Sequence, residues 1–253
     1  MSDRLRLDAE DDRGRTLAVE LWPVAPDVVR LHVGAGARRP SPLLVESAPR
    51  GAPWTLEEAE GGWALRTSRL TLRVDRDPYR LRLSDPAGRE TFAEEPYDQD
   101  IRGRYHHYPS GHARGLRWLT ARLQPGEALF GLGEHFGALN RRGQAFSSWT
   151  VDAEGVRGDR AYKNLPLLLS TAGYAVFFDM TAPLFYDLGH DSTAAWQAVA
   201  RADHLRAYLI QGEGPAAQIR AYHLLTGAPA VPPAWSFALD QVGAQMEIGR
   251  AHV

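Results

Sequence analysis

Arg69-Leu70-Thr71-Leu72-Arg73-Val74-Asp75 carries an apolar residue at every second position, with arginine, threonine or aspartate between. Successive side chains of an extended chain point to opposite faces, so this pattern reads as a strand with one face in a core and the other in water. Arg80-Leu81-Arg82-Leu83 repeats it, and Ser84-Asp85-Pro86-Ala87-Gly88 supplies the turn that follows. Upstream, Leu17, Val19 and Leu21 alternate, as do Val29, Leu31 and Val33. Pro23, Pro26, Gly34 and Gly36 are expected to cut these runs into short antiparallel pieces. Arginines on the outer face make a soluble exterior and guard against edge pairing. The expected fold class is mainly β, a sandwich of short strands.

Residues 94–115 break the rhythm with an aromatic, polar stretch that reads as a surface loop. Its His106-His107 pair suggests a metal at first sight. Adjacent residues of an extended chain face opposite ways, however, and no carboxylate stands at ligand spacing, so no metal site is assigned. From Trp118 onward the strands are richer in apolar residues. Ala128-Leu129-Phe130-Gly131-Leu132-Gly133-Glu134 reads as a buried strand with glycines where another backbone comes close. Leu165–Leu169 and Tyr174–Phe178 flank Thr171-Ala172-Gly173 and are almost wholly apolar. That composition predicts a central hairpin buried on both faces. His204–Ile210 is a further strand.

One helix is expected, from Pro215 to Leu225, with Pro215 in the first turn, Gly227 as the C-terminal cap, and Ile219, Tyr222 and Leu225 on one face. Residues 228–234 form a proline-rich connector, since proline neither continues a helix nor pairs within a sheet. The sandwich domain is therefore placed at residues 1–227. Trp235-Ser236-Phe237-Ala238-Leu239 is expected to begin a new apolar strand.

The formal net charge of −2 leaves no basic field for nucleic acid. No apolar run approaches the length of a membrane-spanning helix, which argues against a membrane partner. Cysteine is absent, which excludes disulfide frameworks, thiolate metal sites and cysteine nucleophiles and favours the cytoplasm. The charged start, Met1-Ser2-Asp3-Arg4-Leu5-Arg6, does not read as a secretion signal. All but one of the 29 basic residues are arginine, the exception being Lys163, and the alanine-rich composition fits a GC-rich bacterial genome.

Three segments in order carry a family resemblance. Leu129-Phe130-Gly131-Leu132-Gly133-Glu134-His135-Phe136 comes first, Ala161-Tyr162-Lys163-Asn164-Leu165-Pro166 with the hairpin after it second, and Leu225-Thr226-Gly227-Ala228-Pro229 running into Pro232-Pro233-Ala234-Trp235-Ser236-Phe237 third. Together, over residues 115–239, they resemble the N-terminal half of family 31 glycoside hydrolases, the α-glucosidase and α-xylosidase group; the first hundred residues share only its β character. The resemblance implies a galactose-mutarotase-like β-sandwich with a short helix, followed by a catalytic (β/α)8 barrel. Residues 235–247 would then be the start of a truncated barrel. The last six residues, Ile248-Gly249-Arg250-Ala251-His252-Val253, match one reading frame of a common sequencing adapter (ATC GGA AGA GCA CAC GTC), so they are expected to be an artefact.

The resemblance further implies that the parent enzyme hydrolyses α-glucosides or α-xylosides with retention, using two barrel carboxylates and no cofactor or metal. No catalytic residue is expected in this chain. Its expected partners are an oligosaccharide or small α-glycoside, the barrel itself and, in the parent, a second copy in a homo-oligomer. A loop of the sandwich is expected to reach the substrate pocket. In this sequence that loop runs from Trp149 through Asp152 to Gly158, with Gly155 and Gly158 allowing it to bend. Asp152 is the leading candidate for substrate contact, because a carboxylate accepts two sugar hydroxyls. Trp149 offers an indole face to a pyranose ring, and Arg157 is a weaker third candidate. Lys163 and Glu134 are assigned structural roles, and His223 packing.

Two other readings compete with the glycosidase domain. One is a stand-alone carbohydrate-binding sandwich. The other is a mutarotase-like epimerase using Glu134 and His135 as acid and base.

Overall fold

The structure, a computed structural model, describes residues 4–10, 16–34, 41–76, 79–94, 110–113, 115–152 and 160–237. In chain order the strands are β1 (Leu5–Glu10), β2 (Thr16–Ala25), β3 (Val28–Gly34), β4 (Thr55–Ala59), β5 (Gly62–Arg66) and β6 (Thr71–Arg76). They continue with β7 (Tyr79–Ser84), β8 (Glu90–Ala93), β9 (Gly111–Ala113), β10 (Leu116–Arg122), β11 (Leu129–Gly133) and β12 (Ala145–Ser148). β13 (Asn164–Ser170), β14 (Tyr174–Phe178), β15 (Leu184–Asp187), β16 (Ala195–Ala200) and β17 (His204–Gln211) complete them, and one helix follows, α1 (Gly214–Thr226).

The strands form three antiparallel sheets. A seven-stranded sheet has the order β1-β2-β3-β17-β14-β13-β11; two five-stranded sheets run β4-β5-β6-β7-β8 and β12-β15-β16-β10-β9. The two smaller sheets meet where Glu94 bridges Ala121. The Glu94 carboxylate also accepts the Leu81 N–H at 2.7 Å, which satisfies a buried acid at this seam.

The alternation of β6 and β7 is realised as read. Leu70, Leu72, Val74, Leu81 and Leu83 lie in a core between the large sheet and the two smaller ones, joined there by Leu21, Leu31, Tyr174, Phe178 and Trp196. On the outer face Arg73 and Arg82 both pair with Asp75, at 2.8 and 2.5 Å.

The central strands show why their sequences lack alternation. In β14, Tyr174, Val176 and Phe178 face the inter-sheet core, while Ala175 and Phe177 enter a second cluster on the other side of the sheet, under α1. β17 divides the same way, with Leu205, Ala207 and Leu209 inward and Tyr208 and Ile210 toward the helix. Both faces are buried, so both must be apolar.

Pro23 lies inside β2 rather than ending it. A register shift between Pro23 and Ala25 in the pairing with β3 absorbs the missing donor, as a β-bulge allows. α1 matches the expected helix, with proline in its first turn and Gly227 capping it through an N–H to His223 O bond of 2.9 Å. Its buried face is rotated from the expected one. Gln218, Ala221 and Leu225 are fully buried, while Ile219 and Tyr222 pack half-buried at the side. Gln218 is tolerated there because its amide donates to the Ser170 and Gly212 carbonyls at 2.8 and 3.0 Å.

The strand expected from Trp235 is not formed in its described part. Ala234–Phe237 is a single 3-10 turn, and Trp235 is 74% exposed. An apolar stretch becomes a strand only against a hydrogen-bonding neighbour, and none is present among the described residues. His106-His107, residues 238–247 and the suspected adapter-derived end lie outside the described residues.

Candidate functional site

The candidate loop stands where β11, β12 and β13 end together. β11 finishes in a bulge, with Gly131, Leu132 and Gly133 all at positive φ and a register shift against β13 between the two glycines. A Cβ on Gly131 would meet the Leu167 carbonyl oxygen at 2.3 Å, and one on Gly133 would meet the Lys163 carbonyl oxygen at 2.1 Å. The close backbone approach inferred from the two glycines is therefore real. It lets the Glu134 N–H donate to the Lys163 carbonyl at 2.9 Å. Glu134 and Lys163 also pair through their side chains at 3.2 Å, but both are more than 70% exposed, so the backbone bond does most of the holding.

The segment after β11 is fastened by polar side chains that the sequence reading passed over. Arg141 is buried and donates to the Gly133 carbonyl at 3.1 Å and the His135 carbonyl at 3.4 Å. Burial pulls its pKa below the ordinary arginine value, yet the guanidinium keeps its charge. Asn140 Oδ1 accepts the Leu129 and Arg142 N–H groups, each at 3.1 Å. Asn140-Arg141-Arg142-Gly143 had the composition of a turn, which was the available signal. So fastened, the segment leaves Phe136 and Leu139 in solvent, 73% and 78% exposed.

The same end carries the candidate residues. Trp149 leaves β12 with half of its surface free. Thr150 forms a parallel bridge with Ala161, and Val151 N–H donates to the Ala161 carbonyl at 3.2 Å. Asn164 closes the base further, its amide donating to Thr150 Oγ1 at 3.3 Å and the Ala161 carbonyl at 3.1 Å. Just above this clamp the Tyr162 hydroxyl donates to Asp152 Oδ1 at 2.7 Å. Asp152 and Trp149 are thus both exposed on a pinned base. Arg157, with Gly155 and Gly158, lies outside the described residues.

Other clusters have simpler explanations. The His135 ring donates to the Leu132 carbonyl at 3.1 Å and lies 4.3 Å from the Phe146 ring. The Glu134 carboxylate is directed to Lys163 at 3.2 Å. Asp187, His190 and Asp191 bring their ligand atoms within 4.8 Å of one another. Asp187 Oδ1, however, already caps a turn by accepting the Gly189 and His190 N–H groups at 3.1 and 2.9 Å. A groove of about 600 Å³ runs between the β2–β3 turn, residues 45–53 and the end of α1. His223 packs beside Tyr222 and lines it, but no carboxylate does, so it lacks the convergent polar groups of a sugar site.

Comparison with known proteins bears on the same region. The profile of the glycosyl hydrolase 31 N-terminal galactose mutarotase-like domain matches residues 18–187, reaching well upstream of the three motifs. The chain is 34% identical over 130 residues to alpha-xylosidase XylQ of Lactiplantibacillus pentosus, covering 51% of this chain and 17% of that protein. It is 35% identical over 117 residues to an alpha-xylosidase of Emericella nidulans, covering 46% and 15%. Among solved structures, the Flavobacterium johnsoniae GH31 dextranase in complex with glucose superposes with a TM-score of 0.76 at 24% identity, over 93% of this chain and 29% of that one. The matched region is thus a small part of each relative. No helix among the described residues is long and apolar enough to cross a membrane.

Proposed function

Because this chain belongs to glycosyl hydrolase family 31 through its N-terminal galactose mutarotase-like domain, we propose that it serves a retaining α-glycosidase acting on α-glucosides or α-xylosides. In that role the sandwich supports a catalytic barrel and lends the loop that starts at Trp149 to the substrate pocket. Retaining hydrolysis needs an acid and a nucleophile about 5–5.5 Å apart, and the barrel supplies both. The sandwich supplies binding: Asp152 accepts hydroxyls of the sugar and Trp149 stacks on a ring. A cysteine-free chain needs no oxidising compartment, which supports action in the cytoplasm.

The observation that carries this reading is the pinned, exposed end of β11–β13. Phe136, Leu139, Trp149 and Leu165, on the segments that leave or enter these strands, are each exposed to water, as is Asp152. Exposed apolar residues of this size fit a contact to another domain or a ligand.

The test is sequencing of the locus downstream of residue 247 and expression of the frame that continues there, assayed on p-nitrophenyl α-D-xyloside and α-D-glucoside. One of the two is hydrolysed, and Asp152→Ala raises KM about tenfold, the loss of a charged hydrogen bond. Failure to hydrolyse either substrate, or an unchanged KM in Asp152→Ala, refutes the corresponding half of the proposal. Tight binding of maltose or isoprimeverose by the 253-residue chain alone would instead indicate a free-standing binding module.

A further inference from the structure

A carboxylate that contacts substrate works best when its rotamer is fixed before the substrate arrives, because ordering it afterwards weakens binding. Asp152 is exposed and sits beyond the end of β12, one residue past the Val151 N–H that bonds to the Ala161 carbonyl. Among the described residues its one hydrogen-bond partner is Tyr162, whose hydroxyl reaches Oδ1 at 2.7 Å. That phenol is an unusual feature in itself, a large ring 53% exposed on the opposite arm of the loop.

Tyr162 is well placed to act as a fixed point. It follows Ala161, which is buried and bridged to Thr150. It precedes Lys163, whose carbonyl takes the Glu134 N–H across the Gly133 contact. Both neighbours are therefore held by backbone contacts, and the ring spans from this anchored arm to the arm that carries Asp152. Because the phenol donates to Oδ1, Oδ2 has no donor among the described residues and can accept from a ligand.

We propose that Tyr162 is a positioning residue: its hydroxyl locks the Asp152 carboxylate in the orientation that receives sugar hydroxyls. The inference rests on the substrate contact proposed for Asp152. The hydrogen bond also ties the two arms together just above the Thr150–Ala161 bridge, so the Val151 N–H bonded to the Ala161 carbonyl reports whether the lock is closed.

The experiment compares the chain with its Tyr162→Phe, Asp152→Ala and doubly substituted forms. Phenylalanine keeps the exposed ring, so the urea midpoint and the exchange of the Leu168 amide in the central hairpin stay unchanged. Exchange of the Val151 amide rises roughly fivefold in each single variant and no further in the double, as expected when one hydrogen bond is lost by either route. A wild-type Val151 rate in Tyr162→Phe, or additive effects in the double variant, overturns the inference.

In the longer enzyme, Tyr162→Phe raises KM roughly fivefold with kcat retained, and has no effect when Asp152 is already alanine. A raised KM in Asp152→Ala with an unchanged KM in Tyr162→Phe overturns the positioning role alone. An unchanged KM in Asp152→Ala overturns the substrate contact beneath it.

Discussion

Replacing Gly133 with alanine tests the contact on which the end of β11 is built. The glycine has φ +94°, and a Cβ there would lie 2.1 Å from the Lys163 carbonyl oxygen and 2.8 Å from the Leu165 nitrogen. Positive φ alone costs an alanine about 1–2 kcal/mol. The oxygen must also retreat by roughly 1 Å to reach ordinary contact. That movement gives up the Glu134 N–H to Lys163 carbonyl bond and loosens the Gly133–Asn164 pairing, at about 1 kcal/mol each. The expected loss is therefore about 3–4 kcal/mol.

Gly143→Ala provides the control, because Gly143 has φ +84° and nothing within 4 Å of its Cβ position. It incurs only the conformational cost. With an m-value of about 3 kcal/mol/M for a chain of this size, the Gly133 variant should unfold about 0.7 M earlier in urea than the Gly143 variant. Urea titration followed by circular dichroism measures the difference. Equal midpoints for the two variants would show that the close approach of β11 to β13 does not constrain this position.

Two further outcomes follow from the buried polar groups. Tyr174, fully buried and kept neutral by burial and by the neighbouring Glu127 carboxylate, donates to Glu127 Oε1 and accepts the Trp196 Nε1–H, both at 2.8 Å. Tyr174→Phe strands the Trp196 indole N–H, while Glu127 keeps the Ser170 hydroxyl and the Gln124 N–H as donors. It should cost about 1–3 kcal/mol in thermal or urea unfolding, and a loss below about 0.5 kcal/mol would mean that water replaces the hydroxyl. The second outcome concerns His32 and His204, whose rings stack at 5.9 Å across β3 and β17. Burial first, then neighbouring positive charges, lowers both pKa values; Arg30 and His204 act on His32 against Glu20, and Arg206 and Arg117 act on His204 against Asp179 and Asp203. The native state then binds fewer protons than the unfolded chain, so their stabilising contribution is complete above about pH 6.5 and is lost as pH falls from there through the lowered native values. A His32→Gln, His204→Gln double variant should flatten the urea-midpoint profile between pH 8 and 5, and a profile as steep as that of the unaltered chain would refute the assignment.

Much of this was legible in the sequence because it depends on local periodicity. Leu70, Leu72 and Val74 could only be one face of a strand, and the unbroken apolar run of β14 could only be buried on two faces. In β13 only Leu167–Ser170 is buried, because Leu165 at its start lies beyond the cover of the core and is 39% exposed. Gly131 and Gly133 were readable as a close approach because no other residue type fits one. Pro23 was misread, since a bulge accommodates the missing donor and proline need not end the strand. The helix face was misjudged by about one residue, because Gln218 is buried where the Ser170 and Gly212 carbonyls supply its amide with partners. The described part of the strand expected from Trp235 is a 3-10 turn for a related reason, since apolar composition does not provide a pairing neighbour.

The sequence by itself determined that the chain is a β-sandwich with one helix, that it resembles the N-terminal region of family 31 glycosidases, and that Trp149 and Asp152 share a candidate loop. These features follow from side-chain alternation, backbone-permissive residues and motif order, all of which are properties of neighbours along the chain. Only the tertiary structure decided that β17 lies between β3 and β14, that a Glu127–Tyr174–Trp196 network sits in the core, and that Phe136 and Leu139 stand in water. It alone brought Tyr162 to Asp152. Such contacts join residues whose separation along the chain carries no periodic signal, and they exist only once the sheets have fixed which strand ends meet.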